Sequence, residues 1–131
     1  MSFDPDRHQA TLRTIAMPAD ANPNGDIFGG WLLSQMDLAG GSAATERARG
    51  RVVTVAMDAI TFHEPVEVGD ELSCYTQISR VGRTSITVDI EAWKRRPVSR
   101  QRIKVTEGVF TYVKIDRNRR PKPVPAQSDT G

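Results

Sequence analysis

The chain has 131 residues, 38% of them hydrophobic and 26% charged, with a net charge of +2. That length suits one hydrophobic core and leaves little for a second, so we read one globular domain rather than a disordered chain. No apolar run approaches the ~18–20 residues that cross a bilayer. The polar start Met1-Ser2-Phe3-Asp4-Pro5-Asp6-Arg7-His8 reads as no signal peptide. Cys74 is the single cysteine, so no intrachain disulfide is expected, in keeping with a reducing cytoplasm.

Residues 1–10 are polar and aperiodic and read as a flexible arm. Thr11 to Met17 reads as a short strand ended by Pro18, and a loop rich in Asn, Asp, Pro and Gly follows to Gly29. From Gly30 the residues Trp31, Leu32, Leu33, Met36, Leu38, Ala39, Ala43, Ala44 and Ala48 leave almost no polar face, which predicts a long buried helix. Gly50 reads as its end cap. After it the period becomes two. Val53 to Ala59 is one strand, Leu72 to Ile78 the next, and Arg80-Val81-Gly82-Arg83 a hairpin into Ile86 to Ala92. Ile103 to Ile115 is a last long strand, with Gly108 read as a bulge. Residues 117–131 read as a flexible, basic, Pro-rich tail. Short turns imply antiparallel pairing, and the one element available to cover the sheet is the helix. The expected class is therefore α+β, a sheet curled around a single helix over residues 11–116. A helix apolar on most sides needs more cover than one small sheet provides, which points to a second copy of the chain.

Asp37 is the informative residue, because it stands near the middle of that apolar helix, where an unpartnered carboxylate is costly. Its helical neighbours include Ser34, Gly40 and Gly41, small residues that would leave space above the carboxylate. A general base or nucleophile facing a substrate is one reading, and an Asp paired with an arginine is the plainer one. Gly29 and Gly30 start the helix, where free N–H groups and the dipole favour an oxyanion. A flexible glycine loop would explain them equally. A Cys74–His63 dyad has nothing to orient it, and Cys74 reads as core. With two distant histidines and one cysteine, no metal site is expected.

The run Met17-Pro18-Ala19-Asp20-Ala21-Asn22-Pro23-Asn24-Gly25-Asp26-Ile27-Phe28-Gly29-Gly30-Trp31-Leu32-Leu33-Ser34-Gln35-Met36-Asp37 resembles the YciA-type acyl-CoA thioesterases, relatives of the cytosolic long-chain acyl-CoA hydrolases. Gly50-Arg51-Val52-Val53-Thr54-Val55-Ala56, Pro65 to Asp70, Val81 to Ile86 and Val105 to Val113 extend the likeness over residues 11–116. The resemblance implies a hotdog fold, a curved antiparallel sheet of five to six strands wrapped around one long central helix. It implies homodimers with active sites at their interface, further assembled as trimers of dimers. It implies hydrolysis of acyl-CoA to free fatty acid and CoA, with no cofactor beyond the CoA of the substrate itself. By position, Asp37 is the catalytic carboxylate, Asn22 its amide partner from the opposite subunit, and Gly30 N–H the donor to the thioester carbonyl. Gly29, Trp31, Val53, Thr54, Arg83, Thr84 and Ser85 are the implied contacts to the CoA substrate.

Charge is unevenly placed. Between Lys94 and Lys122 eleven basic residues face two acids, Glu107 and Asp116. The Arg-rich hairpin around Arg95 to Arg102 and the basic tail are two alternative sources of phosphate contacts. A nucleic-acid-binding module would use the same band but leave Asn22 and Asp37 unexplained. A hotdog that binds acyl-CoA without turnover is another reading. A hydratase would want a histidine near the helix start, and none occurs between His8 and His63. The reading adopted is a cytoplasmic thioesterase that binds no nucleic acid.

Overall fold

The computed structural model describes residues 3–127. Strand β1 (Leu12–Ile15) leads through a short turn of helix and a loop to α1 (Gly29–Ala48), followed by β2 (Val52–Phe62), β3 (Glu71–Val81), β4 (Ser85–Arg95) and β5 (Arg102–Lys114). The strands form one antiparallel sheet in the order β1-β3-β4-β5-β2. This is the expected α+β hotdog arrangement, with five strands and one helix.

Alternation along the strands decides which face the helix covers. Leu72 and Cys74 of β3, Ile86, Val88, Ile90 and Ala92 of β4, and Phe110 and Tyr112 of β5 are all buried and cluster with Leu32, Met36, Ala39, Ala44 and Ala48 of α1. Each large apolar side chain taken out of water this way stabilises the fold by roughly 1.5–3 kcal/mol. The predicted elements are present, with local corrections. Gly108 pairs regularly with Ile90, and the bulge lies opposite it on β2, where the register slips between Asp58 and Thr61 and Ala59 takes φ 54°. The helix ends one residue before the expected glycine, on Arg49 in the left-handed region, whose N–H reaches Thr45 O at 2.8 Å. Gly50 has a different task. A Cβ there would lie 3.0 Å from Lys114 Cε, so its absence lets the buried Lys114 Nζ donate to Ala48 O at 2.7 Å. A cation at the negative end of a helix is favourable.

Within the arm and tail, which were expected to be flexible, a few described residues contact the domain. Phe3 is buried, stacks on Tyr75 with centroids 5.9 Å apart, and donates its N–H to Glu91 Oε1 at 3.2 Å. In the tail, Val124 N–H bonds to Arg83 O at 2.8 Å and Arg47 Nη1 to Pro125 O at 2.7 Å. Neither contact has a periodic sequence signal. Residues 1–2 and 128–131 of these segments lie outside the described residues.

One edge stays uncovered. Strand β2 is exposed along most of its length, and Val55, Met57 and Phe62 lie open on it, as does Leu38 on α1, which is 62% exposed. A long apolar edge strand is a template for another chain.

Candidate active site

Asp37 is half-buried on the helix, at one end of a groove of about 540 Å³ between α1 and β2. Two hydroxyls meet its Oδ1. Thr54 of β2 donates at 2.7 Å, and the Tyr112 hydroxyl of β5 lies 3.0 Å from Oδ1 and 3.1 Å from the Asp37 carbonyl oxygen. Thr54 and Tyr112 are directly opposite each other in the β2–β5 ladder, so the sheet delivers both donors to one point. Among the described residues nothing donates to Oδ2, which leaves one carboxylate oxygen available to a ligand.

Burial raises the pKa of the Tyr112 hydroxyl, with the Asp37 charge and the hydrogen bond to it as further causes. It is therefore a phenol, a proton donor, at any physiological pH. In the sequence Tyr112 stands two residues from Phe110 on one strand, as a core aromatic would, and that spacing hides its polar tip. The signal that points to it is Gly40. A Cβ at Gly40 would crowd the Tyr112 hydroxyl and stand 2.6 Å from Ile90 Cδ1. The glycine beside Asp37 thus makes room for a tyrosine from the sheet, not simply for substrate.

Gly29 and Gly30 form the first turn. Trp31 and Leu32 N–H groups bond to Phe28 O, while those of Gly29 and Gly30 meet no acceptor among the described residues. A Cβ on Gly30 would find nothing within 4 Å, so space for a ligand lies in front of it. Gly30 and Asp37 are seven residues apart, two turns along the same face, hence about 10 Å along the axis. One thioester carbonyl cannot touch both within a single chain.

The loop before the helix holds Asn22 in a tight hairpin. Its Oδ1 accepts the N–H groups of Asn24 at 2.9 Å and Asp26 at 3.1 Å, and Gly25 supplies the φ of 90° that the turn requires. The side-chain NH₂ has no hydrogen-bond partner among the described residues. Trp31 is half-buried against the core. Val52, not Val53, lines the groove with Thr54, because alternation turns Val53 to the other face. Arg83 is exposed in the β3–β4 turn, with Thr84 and Ser85 half-buried beside it.

The Cys74–His63 pair is not brought together. Cys74 is buried on β3, and burial pushes its thiol pKa up to about 12, while His63 follows β2 and lies 3.3 Å from Glu107. Among the described residues no group of three or more His, Cys, Asp or Glu converges as a metal site would require. No described helix is long and apolar enough to cross a membrane.

Comparison with known proteins identifies the family. The family model described as the thioesterase superfamily matches residues 24–99. The acyl-CoA thioester hydrolase YciA of Salmonella typhimurium is 51% identical over 122 residues, covering 91% of this chain and 92% of that one. The chain belongs to the YciA-type hotdog thioesterases. Its Escherichia coli relative, also named acyl-CoA thioester hydrolase YciA, is 50% identical over 119 residues, covering 88% of this chain and 90% of that protein. Among solved structures, a hexameric thioesterase from Yersinia pestis superposes with a TM-score of 0.86 at 51% identity, covering 92% of this chain and 98% of that one. A hexameric broad-specificity acyl-coenzyme A thioesterase gives 0.89 at 45% identity, covering 95% and 91%. The YciA-type likeness therefore spans nearly the whole chain, from the loop of Asn22 through the strands of Thr54 and Tyr112.

Proposed function

We propose that this chain hydrolyses acyl-CoA thioesters to free fatty acid and CoA, at sites shared between two subunits. One observation carries the reading: a helix carboxylate fixed on one oxygen by Thr54 and Tyr112, with free helix-start N–H groups about 10 Å away on the same face. Two such helices laid antiparallel about a twofold axis would bring Gly30 of one subunit to Asp37 of the other, twice. The exposed Leu38 and the open edge of β2 give that pairing its apolar surface.

In this arrangement the Gly30 N–H, with Gly29 beside it, holds the thioester oxygen as it becomes an oxyanion. Asp37 Oδ2 takes the proton of an attacking water, and the C–S bond then breaks as that proton passes to the departing CoA sulfur; on the other route Oδ2 attacks the carbonyl carbon itself, expelling CoA as its thiolate and forming an anhydride that water then opens. Asn22 of the opposite subunit orients the water or carbonyl through its uncommitted NH₂. Trp31, Thr54, Arg83, Thr84 and Ser85 contact the CoA portion, and Val52 stands beside Thr54 where the resemblance implied Val53. The chemistry draws on side chains and backbone, with CoA as part of the substrate and product rather than a cofactor. Three such dimers would make a hexamer, as in the hexameric relatives, and the free buried Cys74 suits a reducing cytoplasm.

The test is free-thiol release across acyl-CoAs from acetyl to palmitoyl. Release by the wild type and its loss in a folded Asp37→Ala protein is the expected result. A flat response across the panel would overturn the reading.

A further inference from the structure

Two lysines, Lys94 and Lys114, are buried, and each donates to a backbone carbonyl. Taking an ammonium out of water is costly unless the structure uses its bonds. Lys114 does so at the end of α1. Lys94 stands on β4 opposite the core residue Leu72, and its Nζ donates to Pro65 O at 2.5 Å, in the connection between β2 and β3. That carbonyl receives no other bond among the described residues.

The connection that Lys94 reaches is the frame for the residues before the helix. Ile27 N–H bonds to Val66 O at 2.9 Å, and Asp26 forms an antiparallel bridge with Glu67. Ala21 bridges Ile27 in turn, and Asn22 N–H reaches Asp26 O at 2.7 Å. Phe28 N–H donates to Asp20 O at 3.1 Å, and Gly29 follows. The Asn22 hairpin and the glycines of the helix start are therefore both fixed to Val66 and Glu67, the residues after Pro65. The same connection meets the helix at its other end, where a Cβ on Gly29 would stand 3.4 Å from the Phe62 ring.

The connection is itself held at both sides of Pro65. After it, Arg96 bonds to Glu67 at 2.7 and 3.0 Å and stands 3.4 Å from the buried Asp70. The hydrogen bond from Arg96, and then its charge, keep Glu67 below the usual carboxylate range, with a smaller contribution from Lys94. Before it, His63 N–H bonds to Val105 O at 2.8 Å. Between these two anchors, Glu64, Pro65 and Val66 have one side-chain bond among the described residues, and Lys94 makes it. Proline has no N–H, so the carbonyl is the one backbone group by which Pro65 can be tied. Without that tie the stretch next to the acceptor of Ile27 is loose.

We propose that Lys94 is a positioning residue for the half of the site that one subunit contributes, holding Asn22 and the Gly29 and Gly30 N–H groups in place through Pro65 and Val66. It touches no reacting atom. The proposal rests on the thioesterase reading, in which Gly30 and Asn22 of one subunit meet Asp37 of the other. Placement matters most there, because an oxyanion donor works only where the oxygen arrives in the transition state, and a displacement of about 1 Å can cost ~10²-fold. Thr54 and Tyr112 orient the carboxylate from β2 and β5, and Lys94 sets the opposing donors from β4.

The test sets Lys94→Met against Lys114→Met in the full-length protein, since each removes a buried ammonium bonded to a carbonyl, one near each end of α1. Lys94→Met should lower kcat for acyl-CoA hydrolysis by about tenfold or more and leave KM within about twofold, because an oxyanion contact acts in the transition state. Lys114→Met should melt lower and keep the wild-type kcat. Hydrogen exchange, read on peptides spanning residues 20–30, should quicken by about tenfold in Lys94→Met and stay unchanged in Lys114→Met. Equal losses of kcat in the two variants, or wild-type kcat in Lys94→Met, would overturn the proposal, as would a loss confined to KM. Should Lys94→Met not fold, Lys94→Gln, whose side chain is one bond too short for Pro65 O, is judged by the same outcomes. If the wild type releases no thiol from any acyl-CoA, the thioesterase reading fails instead. Exchange then still decides the role of Lys94, since unchanged exchange in its variant overturns it.

Discussion

The Tyr112 hydroxyl reaches Asp37 Oδ1, at 3.0 Å, through the space that Gly40 leaves open on the helix. Thr54 approaches the same oxygen at 2.7 Å from the neighbouring strand. The carboxylate is therefore oriented by the sheet, although its backbone belongs to the helix. Removing either donor should leave Asp37 in place but free to rotate. Tyr112→Phe and Thr54→Val are each expected to lower kcat by about tenfold, against a loss of ~10²–10⁴ for Asp37→Asn. Because both donors act on one atom, the double variant should lose less than the product of the two. Steady-state thiol-release kinetics on proteins with matched melting temperatures check this.

Gly40→Ala tests the same contact from the helix side. The new methyl would stand 2.6 Å from Ile90 Cδ1 and 3.0 Å from Tyr112 Cζ, both in the core. Overpacking of this kind costs about 1–3 kcal/mol. The expected outcome is a lower melting temperature together with a loss of turnover resembling that of Tyr112→Phe, as the ring moves off the carboxylate. Calorimetric melting and the same kinetic assay read the two effects.

Alkaline pH should weaken the fold through Cys74. Burial raises its thiol from 9.0 to about 12. The unfolded chain then gives up this proton above pH 9, while the folded chain keeps it until about 12. The stabilisation is complete below pH 9 and declines as pH rises, by about 1.4 kcal/mol per unit from this group. Tyr112, also raised, acts with the same sign above its ordinary 10.0. Urea titrations at rising pH should show this decline, and Cys74→Ala should flatten its first part. A thiol reagent should label the native protein only as fast as it unfolds.

Covering the β2 edge is the fourth expectation. Val55 is 56% and Met57 41% exposed on the strand that also carries Thr54. Val55→Lys and Met57→Lys should shift the protein to smaller species in sedimentation, with turnover falling in step, because a lone subunit cannot bring Gly30 and Asp37 to one carbonyl. Full activity in a sedimenting monomer would refute the shared site.

Much of this arrangement was legible in the residues, for physical reasons. Period-two alternation from Val53 to Ile115 reports which face of a strand is buried, and the all-apolar texture after Gly30 reports a helix with cover on many sides. Asp37 stood out because a carboxylate in that texture needs a reason. What escaped was set by contacts across long sequence separations. Tyr112 alternates with Phe110 as any core aromatic would, and only the ladder shows it opposite Thr54. Phe3 is held by an aromatic stack and a bond to Glu91, and Val124 by a backbone bond, none of which leaves a period to read. Lys114 is one cation of the basic band in the sequence, and only the fold shows the space at Gly50 through which it reaches Ala48 O.

Gly30 and Gly40 are two glycines on one helix under different constraints. A methyl on Gly40 collides with the protein's own core, whereas a methyl on Gly30 meets nothing within 4 Å. Selection of random variants for folded, well-expressed chains should therefore recover Gly40 and accept many residues at position 30. Selection for growth that depends on turnover should recover both. The gap between those two outcomes at position 30 measures what substrate and partner demand of the helix, separately from what folding demands.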